Sequence, residues 1–147
     1  MPTITRFEEI EAWQTARELT RLIYSLTKTG KFSRDFGLKD QIQRASVSIM
    51  SNISEGFESQ TQAQFIRYLG IAKASAGEVR SQLYVCRDLE YITQEQFTTA
   101  FAMAEKASRQ LPVSSLILNR TLNLTRFVKT LLNTKSNNLP TFKPVNL

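Results

Sequence analysis

The stretch Gln41 to Gly56, QIQRASVSIMSNISEG, constrains the fold of this chain more than any other. Ile42, Ala45, Ile49 and Ile53 recur at spacings of three and four, the 3.6-residue period of a helix. Val47 and Met50 add a second, weaker apolar line. A polar line runs beside the first through Gln41, Arg44, Ser48, Asn52 and Glu55. A helix that is apolar on two sides is mostly buried, so several of these polar groups are expected inside. A buried polar group left unpaired costs about 1–3 kcal/mol, and an unpaired charge costs more. The stretch therefore demands partners from elsewhere in the chain.

Other helical patterns supply them. Ala12, Ala16, Leu19, Ile23 and Leu26 predict a first helix over 8–29, with Trp13 and Tyr24 broadening its face and Gly30 as its stop. In the loop that follows, Phe32 and Phe36 are expected to plug the end of a core. The central stretch lies on a second helix, from about 38 to 54. Ser59-x-x-Gln62 and Thr61-x-x-Gln64 are overlapping capping boxes for a third. That helix carries Phe65, Leu69, Ala72, Ala76, Val79, Leu83 and Cys86. Thr93-x-x-Gln96 opens a fourth, with Ile92 and Phe97 placed as a hydrophobic staple. Its line runs through Phe97, Ala100, Ala104, Ala107 and Leu111, and Pro112 should end or kink it. Beyond, the spacing of Ile117, Leu124, Val128 and Leu131 predicts a basic amphipathic helix over 113–133. Four such helices on short connections predict an all-α, antiparallel up-down-up-down four-helix bundle. Residues 1–118 are read as the bundle, 119–133 as a basic helical extension, and 134–147 as a proline-containing tail, disordered alone.

An antiparallel second and third helix would put Arg44 opposite Ser75 and near Glu78, and Glu55 and Asn52 near Gln64 and Arg67. Two buried or half-buried clusters are expected, Arg44–Glu78 and Glu55/Asn52–Arg67, within a structural network that includes Gln41. Glu55 and Glu78 would stand about 20 Å apart by helix rise, too far for one active site. On another side of the third helix Gly70, Ala74 and Gly77 form a stripe of small residues. Two glycines inside a helix cost about 1 kcal/mol each relative to alanine, which a close helix or subunit contact would explain.

The chain contains no histidine, which removes Ser-His-Asp and Cys-His catalysis and the usual mixed zinc sites. No glycine-rich phosphate cradle occurs. No catalytic residue, metal site or cofactor is expected, and the chain is read as a non-enzyme. A single cysteine, Cys86, fits a reducing cytoplasm. The polar, acidic N-terminal stretch is not expected to be a signal or transit peptide, and no apolar run is long enough for a membrane span. The formal net charge is +6. Residues 1–60 are balanced, and 61–111 carry one excess cation. The other five cations, Arg120, Arg126, Lys129, Lys135 and Lys143, all follow residue 112, where no acid occurs. Such a segment suits phosphate-bearing partners or serves as a solvated tail. Arg120, Arg126, Lys129 and Lys135 are the candidate nucleic-acid contacts, to RNA or DNA through phosphates.

These residues resemble a known family. QIQRASVSIMSNISEG is similar to the signature Q-I-x-R-A-x-x-S-I-x-S-N-I-x-E-G of the bacterial four helix bundle proteins, also called large-subunit ribosomal RNA intervening-sequence proteins. FEEIEAWQTARELTRLIY resembles the family's first helix and FIRYLGIAKASAGEVRSQL its third, so that the resemblance covers about residues 6–118. Gln41, Arg44, Asn52, Glu55 and Glu78 match as they stand, and no catalytic residue belongs to the pattern. The resemblance implies a ring-forming monomer, typically a homopentamer, with a connection to nucleic acid. It extends to the accessory variability determinant proteins of diversity-generating retroelements, whose basic ring binds a reverse transcriptase and its RNA template. Ala76 departs from the pattern, where a larger apolar residue is usual, and so does the long basic extension. The function expected is a non-enzymatic, nucleic-acid-binding oligomeric adaptor; the alternative is a protein-interaction scaffold with no direct nucleic-acid role.

Overall fold

A computed structural model describes residues 4–113. Among them are four α-helices and no strand. The first, α1 (Glu11–Leu26), buries Ala12, Thr15, Ala16, Leu19 and Ile23. It is shorter than its apolar pattern, because Phe7–Glu9 wind as a separate 3-10 turn and Thr27 closes the last turn onto Ile23. Gly30 follows in the loop at φ 65°. The second helix, α2 (Phe36–Glu58), starts where the Asp35 carboxylate accepts the Leu38 N–H at 3.1 Å, and overruns the expected span at both ends.

Thr61 caps α3 (Gln62–Asp88) by accepting the Gln64 N–H at 3.2 Å. Ser59 does not start that helix; its hydroxyl donates back to the Gly56 carbonyl and closes α2. A reversal at Glu90, left-handed at φ 57°, ends α3 and returns the Tyr91 N–H to the Cys86 carbonyl at 2.8 Å.

The fourth helix, α4 (Gln94–Arg109), carries the expected capping box. Thr93 Oγ1 accepts from the Gln96 N–H, and the Gln96 side chain accepts from the Thr93 N–H. Ile92 and Phe97, on either side of it, are both buried. Leu111 and Pro112 lie outside the helix. Thr93→Ala should lower the stability of the chain by about 1 kcal/mol, read as a lower urea midpoint with an unchanged slope.

Each helix packs on two others: α1 on α2 and α4, and α3 on α2 and α4. The α2–α3 pairing runs in opposite directions, since Ser48 meets Ser75 while Gly56, further along α2, meets Phe65 and Tyr68, earlier in α3. A continuous core of Leu19, Ile23, Ile42, Ile49, Ile53, Leu69, Val79 and Leu83 fills the space between them. Phe32 is part of it, at 1% exposure. Phe36 is not: as the first residue of α2 it projects outward at 76% exposure, so only one of the two expected plugs forms. The expected helical extension 119–133 and the tail 134–147 lie outside the described residues. No described helix is long and apolar enough to cross a membrane.

Cys86 sits inside the core, and burial pushes its thiol up to about 12. The native protein should resist iodoacetamide at pH 8 and react fully once unfolded, because the thiolate is the nucleophile. Only the unfolded chain releases this proton near its ordinary value of 9.0. The stability that the buried thiol contributes is therefore present below about pH 9 and declines as pH rises towards about 12.

Candidate functional site

The motif-bearing face of α2, together with the part of α3 beside it, is the candidate site. Inward, α2 presents Ile42, Ala45, Ser46, Ile49, Asn52, Ile53 and Gly56. The polar line therefore divides. Asn52 is buried at the α2–α3 seam, where its amide donates to the Ser48 carbonyl at 2.8 Å and to the Ser48 hydroxyl at 3.0 Å. That hydroxyl pairs with the Ser75 hydroxyl at 2.9 Å. Asn52, Ser48 and Ser75 thus form a connected hydrogen-bonded chain across the seam.

Gln41, Arg44 and Glu55 lie on the outside. The expected Arg44–Glu78 cluster does not form within the chain. The Arg44 guanidinium reaches Asp40 at 3.0 Å, with the two side chains 74% and 63% exposed, and Glu78 is exposed on α3. The expected Glu55/Asn52–Arg67 cluster does not form either, because Arg67 and Glu55 are exposed while Asn52 turns inward. Two features explain the correction. Ser48, one turn beyond Arg44, is what faces Ser75. Val47 is 38% exposed, so α2 has one buried side rather than two. An ion pair as open as Arg44–Asp40 contributes about 0–1 kcal/mol. Glu55 does lie near Gln64: with Glu58, Ser59, Thr61 and Tyr68 they line an open cleft of about 450 Å³ at the α2–α3 turn.

The small-residue stripe finds no close helix within the chain. A Cβ on Gly70 would come no closer than 3.9 Å to Val113, a Cβ on Gly77 would lie 3.9 Å from the Arg80 guanidinium, and Ala74 is exposed. None of the three receives a neighbouring helix of the same chain. The glycine that does is Gly56, where a Cβ would lie 2.9 Å from both the Phe65 ring and the Tyr68 Cβ.

Arg120, Arg126, Lys129 and Lys135 lie outside the described residues. Within the body, α1 gathers a cationic cleft of about 450 Å³ that the charge pattern does not reveal. Arg6, Arg17 and Arg21 line it with Trp13, and the Arg17 guanidinium lies over the indole at 5.8 Å. Glu8 and Glu18 share the cleft, with Glu8 paired to Arg6 at 3.2 Å. These acids cancel most of the formal charge, which is why a count along the chain passes the segment over. The spacing of Arg17 and Arg21 by one turn was the available signal. On α3, Lys73 donates to the Ser108 carbonyl at 2.8 Å. Its pKa is lowered, first by burial and then by the charge of Arg80. Among the described residues no group of three or more His, Cys, Asp or Glu side chains could hold a metal ion.

Residues 8–112 match the model of the 23S rRNA-intervening sequence protein family. A solved structure from Bacteroides thetaiotaomicron, described as a protein of unknown function from the S23 ribosomal protein family, is similar with a TM-score of 0.63 and 28% identity. The match covers 68% of this chain and 94% of that one. No curated protein matches the sequence.

Proposed function

From the premise that the chain belongs to the 23S rRNA-intervening sequence protein family, we propose that it is a non-enzymatic, cytoplasmic adaptor that binds nucleic acid as a homo-oligomer. Its subunit is an antiparallel up-down-up-down bundle, and the ring implied by the family signature is a pentamer. The observation that carries the nucleic-acid reading is the placement of charge. Residues 112–147 hold five cations and no acid, against a body that is nearly neutral. Five copies of a +6 chain would concentrate a formal charge of about +30 on one particle, a field that attracts polyanions strongly at low salt.

Arg120, Arg126, Lys129 and Lys135 make phosphate contacts, which position a nucleic acid without reading its bases. A reverse transcriptase of a diversity-generating retroelement is the enzyme such an adaptor would serve. The test is binding of a structured RNA across a salt series. Four phosphate contacts per bound chain should give a slope of log affinity against log salt of about −3. A flat salt dependence, or no binding at modest salt, would overturn the reading and favour a protein-interaction scaffold.

A further inference from the structure

Ser48 and Ser75 meet across the α2–α3 seam and so set a common level for the two helices. At about 1.5 Å per residue, Arg44 stands about 6 Å from that level towards the start of α2. Glu78 stands about 4.5 Å in the same direction along α3. In the opposite direction Glu55 stands about 10.5 Å away and Arg67 about 12 Å. The cation of one helix is thus level with the anion of the other at both ends.

Between the charges the sizes alternate. Exposed Val47 on α2 lies near the level of exposed Ala74 on α3, and exposed Ser51 lies near the level of exposed Ile71. The α2 edge reads Arg44, Val47, Ser51, Glu55, and the α3 edge reads Arg67, Ile71, Ala74, Glu78 in the opposite direction. Within one chain both edges turn outward from the Ser48–Ser75 seam, and among the described residues Glu55, Arg67 and Glu78 form no ion pair. Rotation about an axis parallel to the helices would carry the α2 edge of one copy to the α3 edge of another with every level preserved.

We propose that this face seats a second copy of the chain, the α2 edge of one subunit against the α3 edge of the next, pairing Arg44 with Glu78 and Glu55 with Arg67 across the contact. Large residues then oppose small ones, as Val47 does Ala74 and Ile71 does Ser51. Matched signs at both ends fix the register and reject a copy turned end over end. The inference rests on the oligomeric reading above and names its surface.

The test is sedimentation and native mass spectrometry of the full chain and its charge-reversed variants, with thermal melts to establish that each is folded. All four substituted positions are exposed within the subunit, so each variant should still melt cooperatively, with any loss of melting temperature tracking the loss of assembly. Reversing the α2 edge alone, R44E with E55R, should weaken association at least tenfold. Adding R67E with E78R should restore it. Assembly that survives R44E/E55R would overturn the proposed contact while leaving the oligomer intact, and so would failure of the fourfold variant to recover. A monomeric parent chain would overturn the oligomeric reading itself, and this contact with it.

Discussion

Phe32→Ala is expected to lower stability by about 3–5 kcal/mol, whereas Phe36→Ala should leave it within about 0.5 kcal/mol. Phe32 is 1% exposed and stacks on Tyr91 with ring centroids 5.4 Å apart. The Tyr91 hydroxyl in turn donates to Asp35 at 3.1 Å, and Asp35 caps α2. This bond to the carboxylate, with burial, holds the Tyr91 phenol above its ordinary range. Removing the Phe32 ring leaves a void beneath the residues that join the α1–α2 loop to the end of α3. Phe36, four residues later, meets solvent across most of its surface. Urea unfolding of the two variants should separate their midpoints clearly. Equal losses would mean that the loop is seated differently.

Gly56→Ala should destabilise the protein although alanine is the better helix former. The gain in helix propensity is about 1 kcal/mol. Against it, the new methyl would lie 2.9 Å from the Tyr68 Cβ, an atom tied to the backbone of α3, and 2.9 Å from the buried Phe65 ring. Overpacking of this kind costs about 1–3 kcal/mol, occasionally more. Gly56→Leu enlarges the clash and should leave little folded protein. Gly70→Ala and Gly77→Ala should go the other way, raising stability by about 0.4–1 kcal/mol, since their nearest neighbours stand at 3.9 Å. Opposite signs in thermal melts are the expected result.

These contrasts mark what could be read from the residues. Periodicity placed the four helices, because buried lines such as Ile42–Ala45–Ile49–Ile53 leave a period that survives any error in their ends. The Thr93–Gln96 box was legible because its two hydrogen bonds are local. The close of α3 at Glu90 was not, since no glycine marks the left-handed residue. The polar line of α2 sits rotated from its expected position, with Asn52 inward and Gln41, Arg44 and Glu55 outward. Val47 and Met50 suggested a second buried side, but Val47 is 38% exposed and Met50 only partly covered. A shift of one turn in the α2–α3 pairing then moved Arg44 from the seam to the surface, and Ser48 took its place. The tight contact at Gly56 is not legible in the sequence, because its neighbours, Phe65 and Tyr68, belong to the next helix and no spacing within α2 encodes their approach. Arg6, Arg17 and Arg21 were hidden in a count of charge because Glu8 and Glu18 accompany them.

The claim that residues after the bundle carry the nucleic-acid contacts is tested most directly by one comparison. A structured RNA is titrated with the full-length chain and with a truncation ending at Leu118, each across the same salt series. Binding that falls steeply with salt in the full chain and disappears in the truncation is the predicted result. Equal binding by both would contradict it and move the contact to the body, where the α1 arginine cleft is the first place to look.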